Sequence, residues 1–415
     1  MIMIDQDRPS ARDHREIGRA MGVFAGHPDV GAGLPLWLPS GAVIRHELEQ
    51  FAREVALASG CQPVYSPVLG KRALFERSGH WEKFSEDMFP PMPVGGDQLV
   101  LRPANCPHHA MIYAAEQHSY RELPVRYNEL APMFRSEPSG SLSGLSRVRQ
   151  IDLDDTHVFC RPDQLRDEVV LALDALLDAF AVLGIDVEYL RLSCRDDGPG
   201  FLGEADQWRQ AEAELRAVVA ERGLDWREAP GEAAFYGPKI DVQVLDAAGK
   251  EESIATVQLD FNQPERFDLS YIGEDGAAHR VLMIHRGIIG SMQRMAAFLL
   301  EIYDGRLPVW LAPVQLCLLP VAAAQREAAD DAVRLLRAAG VRVRLEPDGS
   351  LGRRIQDSRS RRDALIGVIG ASEAGADEIT VDDPASGVRD RLKLARLAEL
   401  IKEAVGRRDR RVVLG

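Results

Sequence analysis

The chain has 415 residues, 46% of them hydrophobic and 27% charged, the proportions of a water-soluble globular protein, and it is too long for one ordinary core, so two domains are expected. No run approaches the roughly 18 consecutive apolar residues of a membrane span, and the polar start Asp5-Gln6-Asp7-Arg8 is unlike a secretory signal, which together point to the cytoplasm. The net charge of −14 argues against nucleic acid as a partner until it is divided: 31 basic residues face 48 acidic ones before Pro313, but 19 face 16 from Pro313 onward.

In chain order, apolar residues at helical spacing over 43–59 predict a helix ending at Gly60, followed by a strand from Pro63 to Leu69. A second amphipathic helix is predicted over 163–183, then a strand from Val187 to Cys194, a helix over 204–222, and paired strands Lys239 to Leu245 and Ile254 to Phe261. A helix over 287–303 precedes the proline-bounded connector Leu307 to Pro313, the best domain boundary. Beyond it strands at 315–321, 341–345, 364–369 and 378–381 alternate with helices at 324–338, 351–361 and 392–405, the rhythm of a small α/β domain. Arg353, Arg354, Arg359, Arg361 and Arg362 cluster there, as do Arg407, Arg408, Arg410 and Arg411: either a solvated face or a phosphate-contacting surface.

The chemistry concentrates in a few short blocks. Cys106, in Asn105-Cys106-Pro107-His108-His109, sits in a stiff turn between Pro103 and Pro107; His157 follows Asp154-Asp155-Thr156, and His285 lies in Met283-Ile284-His285-Arg286-Gly287. One thiolate and two imidazoles would make three zinc ligands and leave a fourth position for a substrate. Isolated Cys and His residues more often belong to a core, and Cys61, Cys160, Cys194 and Cys317, odd in number with Cys106 and irregularly spaced, are read that way rather than as a disulfide framework. Arg135 and Glu137, two apart, are expected on one face of a strand, a cation for phosphate beside an acceptor for an amino group; a plain surface ion pair is the alternative. Gly140 and Gly144 with their serines form a loop able to close over a nucleotide, and Arg147 and Arg149 follow it.

As a set these blocks resemble the threonyl-tRNA synthetases, class II aminoacyl-tRNA synthetases, over nearly the whole chain. The resemblance runs from Asp13-His14-Arg15-Glu16-Ile17-Gly18 through Gly33 to Pro39, Ser78-Gly79-His80-Trp81, Asn105-Cys106-Pro107, Arg135 to Arg149, Phe235-Tyr236-Gly237-Pro238-Lys239 and Thr256 to Phe261, to His285 to Arg294. It implies an α+β fold: an antiparallel sheet flanked by helices over 1–311, then an α/β anticodon-binding-type domain over 312–415. It implies threonine activation with ATP and Mg²⁺, transfer to tRNA, and a homodimer formed around Gly60 to Leu69. By the same resemblance Arg135 holds the α-phosphate, Glu137 the adenine amino group, and Arg147 and Arg294 the outer phosphates and adenine face; Ile151 and Gln258 complete the nucleotide site. Cys106, His157 and His285 hold zinc, Asp155 accepts a hydrogen bond from the threonine hydroxyl, and Tyr236, Lys239 and Gln258 line the pocket. His80, expected to keep an ordinary imidazole pKa near roughly 6.5, serves transfer to tRNA.

Some positions depart from the family pattern. Ile151 stands where relatives stack an aromatic on adenine, Leu153 replaces a polar pocket residue and Ala104 a methionine, so a roomier, less polar pocket is expected. Thr380 to Gly387 is acidic where relatives read the anticodon with a basic strand pair, which puts that contact in question. The N-terminal editing region of many relatives is expected to be absent, leaving seryl products uncorrected. A paralogue that activates threonine or a related β-substituted amino acid for a carrier protein is the alternative; a non-catalytic regulatory relative would have little need of these residues.

Overall fold

The computed structural model describes residues 12–198 and 200–414; the polar start Asp5 to Arg8 lies outside the described residues. Among the described residues, no helix is long and apolar enough to cross a membrane. The larger body is built on an eight-stranded sheet in the order Trp226–Pro230, Val187–Cys194, Lys239–Leu245, Glu251–Asp260, Leu282–Gly287, Gln150–Cys160, Val125–Phe134 and Gln62–Pro63. Its two outermost pairings are parallel and the rest antiparallel. Helices Pro39–Ala58, Leu165–Leu183, Ala205–Ala220 and Met292–Ile302 lay their apolar stripes into one continuous core, where Leu48, Leu173, Leu176, Phe180 and Leu299 are fully buried. Removing such side chains from water is the main force holding helix to sheet.

The smaller body has five strands in the order Val343–Leu345, Leu316–Pro320, Leu365–Ile369, Glu378–Asp382 and Arg389–Lys393, the first three parallel and the last two antiparallel. Its alternation of strand and helix matches the α/β rhythm of the sequence, and the last hairpin accounts for the acidic run. Arg389, Arg391 and Lys393 stand opposite Asp382, Thr380 and Glu378. Glu378 pairs with Arg391 at 2.8 Å, Asp382 with Arg359 at 2.8 Å, and Asp383 accepts the Ala385 N–H to build the turn. Of the two carboxylates expected to repel a phosphate backbone, Asp382 is thus paired with a cation within the fold and Asp383 is taken up by its own turn.

Three expectations need correction. The segment from Pro63 to Leu69 is no continuous strand: only Gln62–Pro63 and Leu69–Lys71 pair, because Pro67 lacks the N–H that a ladder uses and the Ser66 N–H goes to the Glu129 side chain. The helix expected from 287 starts at Met292; the strand Leu282–Gly287 runs into a turn at Gly290, whose φ of 69° suits glycine, and Ser291 caps the helix by accepting the Arg294 N–H. Arg135 and Glu137 are not on a strand, since Val125–Phe134 ends one residue earlier.

The connector Leu307 to Pro313 is buried rather than flexible. Trp310 packs edge-on to Phe51 at 5.6 Å within the larger core, while Val309 belongs to the smaller one. Arg342, from the smaller body, clamps it: its guanidinium donates to the carbonyls of Ala312 (2.9 Å) and Trp310 (2.6 Å) and pairs with Glu47 of the long helix at 2.6 Å. Arg342→Ala would strand these partners at an interface with little water, so a loss of about 2 kcal/mol or more is expected, read as an earlier thermal transition than in wild type. Arg342→Lys, which cannot fork between two carbonyls, should recover only part of it.

Candidate active site and metal centre

Strand register builds the site. Opposite residues in antiparallel strands share a face, and across five adjacent strands Lys239 stands opposite Gln258, Gln258 opposite His285, His285 opposite His157 and His157 opposite Tyr127. Along Gln150–Cys160 the two-residue period adds Ile151, Leu153 and Asp155 to the same face as His157. The other face carries acids with structural work: Asp152 binds Arg45 and Gln293, and Asp154 accepts the Ile288 and Ile289 amides and the Asn128 side chain.

Above this row opens a cleft of about 690 Å³. Its walls include His80, Ala104, Cys106, Arg135, Glu137, Arg147, Ile151, Leu153, Asp155, His157, Tyr236, Gln258, His285 and Arg294, so that nearly every expected site residue converges there. Lys239 is the exception: it does not line the cleft, because Asp241 holds its ammonium at 2.8 Å. Tyr236 donates to the Gln258 side-chain oxygen. It is placed there by Gly237, where a Cβ would lie 1.8 Å from the Leu259 carbonyl oxygen, so only glycine allows the approach.

At one end of the cleft are the cations. Arg147 pairs with Glu137 at 2.8 Å, and Arg294 reaches Glu252 at 3.3 Å; Arg135, among the described residues, has no carboxylate partner within ion-pair range. Arg147 is more than half exposed, so its pair with Glu137 is weakly held and open to exchange with a ligand. The loop carrying Arg147 is tied down by a residue the sequence did not single out. His14 is buried in the first helix, with Nδ1 2.7 Å from a Glu301 carboxylate oxygen and Nε2 accepting the Leu145 N–H at 3.1 Å. Its signal lay in the block Asp13 to Gly18, but only the fold shows what it touches. Gly144, with a φ of 49°, leaves room for the ring.

At the other end Cys106, His157 and His285 are buried, with one ligand atom from each within 4.8 Å of the others. His157 Nε2 faces His285 Nδ1 at 2.9 Å. Burial lowers the His157 pKa, with the neighbouring His285 and His109 adding to it, which leaves the imidazole neutral as a metal ligand requires. Burial pushes the Cys106 thiol up, although Gln263 donates to its sulfur at 3.0 Å. A buried thiol has no reason to ionise here unless a cation arrives. This soft and borderline donor set fits Zn²⁺. Asp155, beside it, is pushed up to about 8, first by burial and then by the charges of Asp154 and Glu129. His80 corrects an expectation: burial, followed by the charges of His285, Arg135 and Arg266, brings it to about 3, far from an ordinary imidazole. Its Nδ1 meets Ser78 Oγ at 2.8 Å and its Nε2 lies 3.6 Å from Cys106 Sγ.

Residues 93–303 match the tRNA synthetase class II core domain (G, H, P, S and T), and residues 315–404 match the anticodon binding domain. The RNA binding domain of threonyl-tRNA synthetase from Cryptosporidium parvum Iowa II superposes with a TM-score of 0.89 at 34% identity, covering 94% of this chain and 98% of that one. The chain belongs to the threonyl-tRNA synthetase family of class II synthetases. Threonine–tRNA ligase of Geobacillus kaustophilus is 47% identical over 374 residues, 89% of this chain and 57% of the relative, and threonine–tRNA ligase 1 of Bacillus subtilis is 47% identical over 367 residues, 88% and 57%. The chain thus spans less than three fifths of the length of these two curated relatives. A prolyl-tRNA synthetase from Cryptosporidium parvum shares the fold alone, with a TM-score of 0.74 at 15% identity over 95% of this chain and 78% of that one.

If His14 anchors the loop that carries Arg147, His14→Ala should free the Leu145 amide. Hydrogen exchange over 143–149 should then accelerate by roughly tenfold, the effect of losing about 1.4 kcal/mol of local protection; exchange at the wild-type rate would show that the loop holds itself.

Proposed function

We propose that this chain activates threonine with ATP and Mg²⁺ and transfers it to tRNA, as a cytoplasmic homodimer. The observation that carries this reading is one cleft with arginines at one end and the Cys106, His157 and His285 trio at the other, the two ends joined by Tyr236, Gln258 and Asp155. Arg135 is the contact for the α-phosphate and the amino-acid carboxylate; Arg147 and Arg294 take the outer phosphates and the adenine face, and Glu137 takes the adenine amino group once Arg147 turns to phosphate. Fixed cations aimed where charge gathers on the phosphorus stabilise an in-line attack without reorganisation. Ile151 offers adenine an apolar surface, and the ring of Ile151, Leu153 and Ala104 sets a pocket of moderate polarity.

Zinc held by Cys106, His157 and His285 would bind the threonine amino and hydroxyl groups, and Asp155 would accept the hydroxyl hydrogen. An ammonium or metal beside Asp155 favours its anion, offsetting the burial that raises it. His80, neutral and hydrogen-bonded to Ser78, is positioned to serve transfer through its ring rather than as a base of ordinary strength. Leu57 and Tyr65 are exposed beside the sheet's edge strand, which supports a subunit contact there.

Pyrophosphate exchange with threonine, serine and valine, followed by charging of total tRNA, tests the whole reading. Arg135→Ala should depress exchange by about 100-fold or more. Cys106→Ser should lose both metal and threonine activation. Valine, which leaves the polar partners of the hydroxyl unsatisfied, should be rejected far more strongly than serine, which differs from threonine by one methyl worth about 1–3 kcal/mol. Activation of valine as well as serine, or full activity after complete zinc removal, would overturn the metal–hydroxyl account; adenylation without tRNA charging would favour a carrier-protein acceptor.

A further inference from the structure

Behind the proposed metal ligands lies a set of buried polar groups that the reaction as described does not use. His109, on the helix Cys106–Tyr113, is fully buried and does not line the cleft. Its Nδ1 lies 2.8 Å from His157 Nδ1, with the two rings edge to face. Its Nε2 lies 3.2 Å from a Glu129 carboxylate oxygen and 2.7 Å from the Asn105 side-chain nitrogen. Glu129 is itself buried, paired with the fully buried Arg102 at 3.2 Å and hydrogen-bonded by Ser66. Burial alone would raise its pKa; the hydrogen bonds from His109 and Ser66 and the charge of Arg102 outweigh that and hold it at about 2.

Two imidazole nitrogens 2.8 Å apart need one hydrogen between them, and a neutral imidazole carries only one. Two hydrogen-bond chains therefore compete. In the first, Asn105 donates to His109 Nε2, His109 Nδ1–H donates to His157 Nδ1, and the His157 hydrogen sits on Nε2, pointing at His285 and blocking the metal face. In the second, the Asn105 side-chain N–H turns from His109 to Glu129, 3.2 Å away, His157 Nδ1–H donates to His109, and His109 Nε2–H donates to Glu129. That arrangement leaves lone pairs on His157 Nε2 and His285 Nδ1 facing each other, which only a cation makes favourable. His285 has the simpler version of this support: its Nε2 meets Asp260 Oδ2 at 2.9 Å, while the other Asp260 oxygen accepts the Asn262 and Gln263 amides.

We propose that His109 and Glu129 are positioning residues for the metal centre, a two-step relay that fixes the tautomer of His157 as Asp260 fixes that of His285. The proposal rests on the zinc reading of Cys106, His157 and His285. A carboxylate behind a histidine ligand raises the ligand's basicity and holds its ring, and loss of such support typically costs about 10–100-fold in metal affinity. Here the carboxylate acts through an intervening imidazole, and Arg102 keeps it anionic and in place.

The test is the zinc dissociation constant of the full chain, measured by competition with a chromophoric chelator, for wild type, His109→Phe, His109→Gln and Glu129→Gln, with ATP affinity as a control. His109→Phe keeps a ring but cannot accept the His157 hydrogen, and should weaken zinc by about 10–100-fold with ATP affinity unchanged. His109→Gln, whose carbonyl can accept that hydrogen, should retain zinc better than Phe although it fills the space less well. Glu129→Gln, isosteric but uncharged, should weaken zinc by about tenfold, and it decides the matter if the Phe variant does not fold. The relay is overturned if zinc affinity in the folded variants stays within about threefold of wild type, or if Phe outperforms Gln, the ranking of a packing role. A wild-type chain that takes up no zinc would remove the metal reading itself, a result distinguishable from failure of the relay alone.

Discussion

The register of the central sheet is the constraint on which the rest depends. His285 and His157 bring ring nitrogens within 2.9 Å of each other only because they are paired opposite one another on adjacent antiparallel strands, with Gln258 in the same row one strand further on. A slip of one residue in either pairing would turn a whole strand's side chains to the other face. It would exchange Asp155 and His157 for Asp154 and Thr156, and the cleft would lose its chemistry. Asp152 and Asp154 oppose that slip from behind, because their bonds to Arg45, Gln293 and the Ile288 and Ile289 amides exist in one register only. Buried acids on the back of the strand thus specify where the front of it points.

Helices with one apolar stripe were legible from spacing: Pro39–Ala58, Leu165–Leu183 and Ala205–Ala220 lie close to where the periodicity puts them. The site-bearing strands Val125–Phe134 and Gln150–Cys160 were not, for a physical reason. The alternation of Val125-Arg126-Tyr127-Asn128 and of Gln150-Ile151-Asp152-Leu153-Asp154 breaks off within four or five residues, because polar groups are needed on both faces of each strand. Both strands also carry Pro132, Asp152, Asp154 and Asp155, residue types that propensity places elsewhere. Here the demands of a polar site and a specified register override local preference, as expected where function and folding compete for the same positions.

The candidate site itself was legible in composition more than in geometry. Residue types and the family resemblance named Cys106, His157, His285, Arg135, Glu137 and Arg294, and the fold gathers all six around one cleft. What the sequence did not disclose is environment. His80 reads as an ordinary histidine until burial beside Cys106 and the arginine charges removes its basicity. Lys239 reads as a pocket residue until Asp241, two residues on, captures it. The acidic run near Thr380 reads as repulsive until Arg359, from a neighbouring helix, is seen to hold Asp382. Each case turns on a partner that only the folded chain selects or on the loss of water, and neither is written in a motif.

The buried connector has a consequence for anything that touches both bodies. With Trp310 locked into one core, Val309 into the other, and Arg342 bridging to Glu47, the smaller sheet is not a tethered module searching space. It is one jaw of a caliper whose opening is set before any ligand arrives. Any long ligand that touches both bodies would present to the cleft only those of its atoms that lie one fixed span away. Selection by length would then come without any extra contact, and without the entropy that a flexible tether surrenders on every encounter.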